Sequence, residues 1–332
     1  MQTDTVDLLV VGAGPIGLAC AIEAERVGLS ARVVEKGALV NSLVGYPTQM
    51  EFFSTPELLE IGGHPLATTL YKPRREEAID YYRGVAFREG LDVRLGERVE
   101  AIEGEAGDFR VRTSRGEHSA RAVAIATGFF DQPNRLGVPG EDLPHVSHYY
   151  KEPYVASGRR VVIVGAKNSA AKAALECYRH GANVTMLVRG DAIGTSVKYW
   201  IRPDLLNRIE EGSISALYRA TVERITEAGV HVATLDGPRE IPADVVFALT
   251  GYRPDFGFLI HTGIALEGPA KVPTFDEVTM ESNRSGVYLA GTVCGGLNTS
   301  RWYIENGRIH AARIAAHLAD LPAPELEAKG QP

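Results

Sequence analysis

The sequence predicts an α/β fold of two Rossmann-like, three-layer dinucleotide-binding domains, the second inserted in the first. Three observations predict it. A strand, a glycine turn and a helix open the chain, the same order recurs from residue 160, and a further buried strand and helix follow that second copy. The expected domains are residues 1–130 with 250–332 for the first and 131–249 for the second.

Asp7-Leu8-Leu9-Val10-Val11 reads as a buried strand, Gly12-Ala13-Gly14-Pro15-Ile16-Gly17 as the turn, and Leu18 to Val27 as a helix. A second strand, Ala31 to Val34, ends in Glu35, which lies 18 residues past Gly17. This is the full dinucleotide fingerprint: a tight turn at Gly12, backbone approach to a pyrophosphate at Gly14, close helix packing at Gly17, and an acid for ribose hydroxyls. The helix start adds N–H groups and positive dipole. A purely structural glycine turn is the alternative.

The second copy runs through the strand Arg160 to Val164, the turn Gly165-Ala166-Lys167-Asn168-Ser169-Ala170, a helix from Ala171 to Arg179, and a strand from Val184 to Val188. It closes on Arg189 where an acid would accept from a 2′-hydroxyl. A guanidinium there favours a 2′-phosphate, so NADP is expected over NAD, with Lys198 and Arg202 near enough to join; solvated surface cations are the alternative. Lys167 replaces the middle glycine, so the pyrophosphate is held less closely or partly by the lysine ammonium.

Short alternating strands follow each copy. The first set includes Val99 to Ile102 and Phe109 to Thr113 and ends in Val123 to Gly128. The second includes Val222 to Ile225 and Val230 to Leu235, turns at Asp236-Gly237-Pro238 and ends in Val245 to Gly251. In the tail, Ser285 to Gly291 reads as a buried strand and Asn298 onward as an N-capped helix through Ile309. They most simply complete the first domain's sheet, which is why the second domain reads as an insertion.

The length of 332 residues allows two or three domains with real cores, and 45% hydrophobic with 23% charged residues is ordinary for a globular chain. A formal charge of −7 without basic tracts argues against nucleic acid or an anionic membrane as partner. The longest uncharged stretch, Leu8 to Ile22, is too short for a membrane helix, and Asp4 and Asp7 do not suit a signal peptide, so a soluble cytoplasmic protein is expected. Cys20, Cys177 and Cys294 are odd in number and far apart, which leaves neither a disulfide framework, nor a C-x-x-C pair, nor a metal site.

With two fingerprints, the Ala126-Thr127-Gly128 and Leu249-Thr250-Gly251 closures and the strand Gly286 to Gly291 in this order, the chain resembles the two-domain flavoprotein reductases of the thioredoxin reductase type. A narrower resemblance, to the bacillithiol disulfide reductase family of low-molecular-weight thiol metabolism and redox homeostasis, is carried by Val40-Asn41-Ser42, Tyr46-Pro47-Thr48, Phe52-Phe53-Ser54, Leu59 to Gly62, Gly137 to His145, Gly165 to Ala170 and Tyr303 to Gly307. It implies FAD at Gly12, Gly14, Pro15, Gly17, Glu35, Lys36, Thr127, Gly128, Gly291 and Thr292. It implies NADPH at Gly165, Lys167, Asn168, Ser169, Arg189 and Lys198, a small disulfide as substrate, and a homodimer. The tail helix would then turn its N-terminus to the cofactor, where its dipole favours negative charge by ~0.3–1 kcal/mol; an ordinary packing helix is the equally compatible alternative.

Three features depart from these relatives. No cysteine stands in Ser147 to Lys151, where thioredoxin reductases carry C-x-x-C; Ile16 stands where several bacillithiol relatives carry a cysteine; and Gly291-Thr292 replaces Gly-Asp. The catalytic residue is therefore unassigned, with His148, His145 and Cys294 as candidates, and structural histidines and a buried cysteine as the alternatives. The expected reaction passes hydride from NADPH to FAD and electrons on to the disulfide. A ferredoxin or flavodoxin reductase on the same scaffold, a flavin monooxygenase and a non-enzymatic redox sensor are the competing readings.

Overall fold

The structure, a computed structural model, describes residues 5–324; Asp4 and the outermost ends of the expected first domain lie outside the described residues. The chain divides into two compact units, one formed by the residues up to Val44, Met50–Gln132 and those from Tyr252 on, the other by Gly45–Gln49 and Pro133–Gly251. The segment Gly45–Gln49 is the part that the sequence does not place: Thr48 N–H donates to Lys151 O (2.9 Å), which ties it to the second unit.

In the first unit, β1 (Val6–Val11) lies at the middle of a parallel set, beside β2 (Ala31–Glu35) on one edge and the last residues of the strand Gly116–Ile125 on the other. Leu8, Leu9 and Val10 are fully buried. An uninterrupted apolar run of this kind suits a strand covered on both faces, and each such side chain contributes ~1.5–3 kcal/mol. The strand Gly116–Ile125 shares its far edge: its first half pairs antiparallel with Asp108–Thr113, and its last three residues pair parallel with Val287–Leu289. The tail thus completes the first sheet. The helix α1 (Pro15–Arg26) begins directly after the turn, with proline at its first position, where a missing N–H costs nothing.

The second unit repeats the design in a parallel sheet ordered Ser215–Tyr218, Asn183–Val188, Arg160–Val164, Val245–Ala248, Val146–Ser147. A separate antiparallel sheet holds Thr221–Thr226, Gly229–Thr234 and Gly237–Pro242. Ile163, Ala170, Ala174, Met186, Leu205 and Phe247 form part of its core.

Several boundaries differ from the sequence reading. The second fingerprint helix spans Asn168–Arg179 and so starts three residues before Ala171. The tail strand is only Val287–Leu289. The helix expected from Asn298 starts at Ile304 and resumes as Ile309–Leu318, because the Asn306 side chain accepts from Tyr303 N–H (2.7 Å) and donates to Arg301 O (2.9 Å), closing the helix start there. Asn298 lies in a turn, accepting from Arg301 N–H at 3.0 Å.

Candidate dinucleotide sites

In the first unit the three fingerprint glycines differ in what a side chain would meet. Gly12 has φ +107°, and a Cβ there would stand 2.7 Å from Ala126 O; at Gly17 it would stand 1.9 Å from Gly12 O. Gly14 has nothing within 4 Å in that direction and caps α1 without any side-chain hydrogen bond. The turn therefore presents N–H groups and open space at the positive end of a helix, a cradle that fits a pyrophosphate. Pro15, buried at the first helical position, leaves the N–H groups of Ile16 and Gly17 as the donors of that turn.

Glu35 is buried and accepts from Ala13 N–H (2.9 Å) at one carboxylate oxygen and Gly37 N–H (2.8 Å) at the other. Each oxygen keeps a second acceptor site for a ribose hydroxyl, and the same carboxylate holds the glycine turn in place. Lys36 pairs with Asp131 at 2.7 Å. Thr127 and Gly128 follow the strand Gly116–Ile125, and Thr292 Oγ1 lies 3.5 Å from where a Gly128 side chain would begin. Gly12, Thr127, Gly128, Gly291 and Thr292 thus gather beyond the carboxyl ends of the parallel strands, where ligands bind in open α/β sheets.

One residue of this site escapes sequence reasoning. Gly291 N–H donates to Nδ1 of His310, which is 0% exposed on the helix Ile309–Leu318. Burial foremost, then the neighbouring charges of Arg313 and Arg301, lowers the His310 pKa from 6.5 to about 3. The unfolded chain then binds more protons between those values. The stability that His310 contributes is complete above pH 6.5 and is lost as pH falls towards about 3. The gap in unfolding free energy between wild type and His310→Asn should accordingly shrink from about pH 7 to about pH 4 in urea titrations. A gap independent of pH would contradict this assignment.

In the second unit, Gly165 has φ +140°, and a Cβ there would meet Leu249 O at 2.5 Å. Lys167 is exposed and caps the helix Asn168–Arg179 without a side-chain bond, and Ser169 is exposed in its first turn. The Asn168 amide donates to Ser196 O (3.3 Å) and accepts from Lys198 N–H (2.8 Å), so it fixes the segment that carries Lys198 beside the turn. Arg189 is exposed just past the strand Asn183–Val188 and makes no ion pair with another described residue. Arg202 donates to Ile193 O from Nη2 (3.2 Å), which holds the same segment from its other end.

The candidate catalytic side chains fare unequally. Cys294 is fully buried, and desolvation raises its pKa, which disfavours a thiolate there. Burial likewise pushes the Cys20 and Cys177 thiols up to about 12. His148 stands 3.3 Å from Glu141. Burial alone would raise that carboxyl, but the N–H groups of Leu136 and Gly137, with Arg135 and His148, hold it below its ordinary range. Val246 N–H donates to the backbone O of His145 (2.9 Å), and the His145 Nε2 is buried without a hydrogen-bond partner among the described residues. No cluster of potential metal ligands occurs among the described residues.

The family model for pyridine nucleotide-disulphide oxidoreductases matches residues 9–291. The chain belongs to this family. It is 42% identical over 315 residues to the bacilliredoxin reductase Bdr of Bacillus subtilis, covering 94% of this chain and 97% of that one. It is 32% identical to a ferredoxin–NADP reductase of Thermus thermophilus, over 88% and 86% of the two chains. Among solved structures, the bacillithiol disulfide reductase Bdr of Bacillus cereus superposes with a TM-score of 0.93 at 38% identity, over 96% of this chain and 99% of that one. A thioredoxin reductase of T. acidophilum, at 23% identity and a TM-score of 0.76, shares the fold. As a family member, the protein is an oxidoreductase of the disulfide reductase type that uses flavin and pyridine nucleotide. No helix among the described residues is long and apolar enough to cross a membrane.

Proposed function

We propose that this oxidoreductase uses NADPH and FAD to reduce a low-molecular-weight thiol disulfide, most specifically bacillithiol disulfide. The observation that carries this reading is the likeness to the Bacillus cereus bacillithiol disulfide reductase over 96% of the chain. The net change is one NADPH, one proton and one disulfide converted to NADP⁺ and two thiols. When bound, FAD supplies the two-electron exchange between nicotinamide and disulfide.

The chain's own residues bind and orient. The uncapped turn at Gly14 holds the pyrophosphate of FAD, with Glu35 on the ribose and Thr292 opposite Gly128 on the sugar chain. Gly165, Lys167 and Ser169 receive NADPH in the second unit, and Arg189 with Lys198 takes its 2′-phosphate. Placement of the protein in the cytoplasm as a homodimer is part of the same proposal.

With Cys20, Cys177 and Cys294 all buried and Ile16 in the first turn, no thiol of this chain takes part. The variant with all three cysteines replaced by alanine should therefore keep kcat for disulfide-dependent NADPH oxidation within about threefold, the residual loss reflecting core packing. A fall of a hundredfold or more in a folded variant would show that one of them is required. The buried cysteines and the 32% identity to a ferredoxin–NADP reductase favour a second reading, a reductase of an electron-carrier protein. Parallel assays of NADPH oxidation with bacillithiol disulfide and with ferredoxin distinguish the two by kcat/KM.

A further inference from the structure

We propose that His310 is a positioning residue of the flavin site, setting the Gly291–Thr292 turn through the hydrogen bond that it accepts from Gly291 N–H. The inference rests on the reading that the first unit binds flavin. Pairing with the strand Gly116–Ile125 ends where Ala290 N–H donates to Ile125 O (3.0 Å). The next N–H, of buried Gly291, has no strand partner left, and a buried backbone donor without an acceptor is costly. His310 supplies that acceptor from 19 residues away, at 3.0 Å.

Opposite constraints fix the same residue. A side chain at Gly291 would meet Ile16 Cγ1 at 3.1 Å, so the backbone is packed against the start of α1. With its N–H turned inward to His310, Gly291 offers no donor to a ligand. The group brought towards Gly128 is instead the hydroxyl of Thr292. Because Nδ1 accepts, the imidazole proton sits on Nε2. Nε2 is buried without a hydrogen-bond partner among the described residues, and the ring packs edge-on to Trp302 with centroids 4.4 Å apart. The Cys294 sulfur stands 3.9 Å from Nδ1, and the charges of Arg313 on the same helix and of Arg301 disfavour a second proton. A doubly protonated ring would turn an N–H against the Gly291 N–H and break the turn's anchor.

The test compares three variants of the holoprotein. His310→Asn places its side-chain oxygen near the position of Nδ1. His310→Gln places its oxygen nearer Nε2 and leaves Gly291 without an acceptor, and His310→Leu keeps bulk with none. Flavin dissociation constants, read from flavin fluorescence, and the position of the visible flavin band are measured beside far-UV melting. The expected order is wild type, then Asn within about threefold, with Gln and Leu weaker by about tenfold or more and their flavin bands shifted. Equal flavin affinity and spectra for Asn and Gln would overturn the proposal even if the Leu variant does not fold. So would a Leu variant that melts lower but binds flavin as wild type does, since that marks a role in stability alone. A wild-type protein that takes up no flavin would instead overturn the underlying reading.

Discussion

Gly14→Ala is expected to give a folded protein whose affinity for flavin is lower by a hundredfold or more. The backbone at Gly14 (φ −73°, ψ 174°) suits alanine, and the new methyl group would meet no protein atom within 4 Å. What it would meet is the ligand, held off the N–H groups of an uncapped helix start by a methyl's breadth, where hydrogen bonds weaken steeply with distance. The flavin-free variant should melt with flavin-free wild type in far-UV circular dichroism. Gly17→Ala should do the reverse: its Cβ would fall 1.9 Å from Gly12 O, so the loss appears first as instability, about 1–3 kcal/mol or more by urea unfolding. A Gly14→Ala protein that binds flavin normally would show that this turn is not the pyrophosphate site.

Arg189→Ala should raise KM for NADPH by about tenfold to a hundredfold and change KM for NADH by less than about threefold. The side chain is exposed just past the strand Asn183–Val188 and unpaired with other described residues, so its removal costs the fold little and the effect belongs to the 2′-phosphate. Arg189→Lys should recover only part of the discrimination, since an ammonium cannot make the paired contacts of a guanidinium. Equal changes for the two nucleotides would contradict the assigned role.

The legible parts of this molecule are those dictated by local backbone geometry. Gly12, Gly14 and Gly17 each have the environment that their spacing implies, because the tight turn, the approach and the helix contact all fall within six residues. The strands β1 and β2 follow from runs of buried aliphatic residues. What eluded the sequence depends on partners distant along it. His310 reaches back 19 residues to Gly291, and Asn168 reaches forward 28 to Ser196, so a fingerprint residue turns out to hold a loop. The helix start misplaced at Asn298 is a different case, because both partners of Asn306, Tyr303 and Arg301, lie within five residues of it, and only the turn geometry selects that asparagine over Asn298.

The chemistry was least legible at the candidate catalytic residues. Cys294 lies in a glycine-rich stretch that reads as a loop, and it is buried in a short helical turn, Gly291–Gly295. His148 is engaged with Glu141 within the second unit, a pairing across seven residues that no periodicity announces.

The most direct test of the central claim is an anaerobic titration of the purified protein, following the visible flavin band through addition of NADPH and then of bacillithiol disulfide. Bleaching by NADPH and recovery on adding the disulfide, in wild type and in the variant with all cysteines replaced, is the result expected of a thiol-independent disulfide reductase. Bleaching that the disulfide does not reverse, with recovery on adding oxidised ferredoxin, would contradict it and make an electron-carrier protein the acceptor.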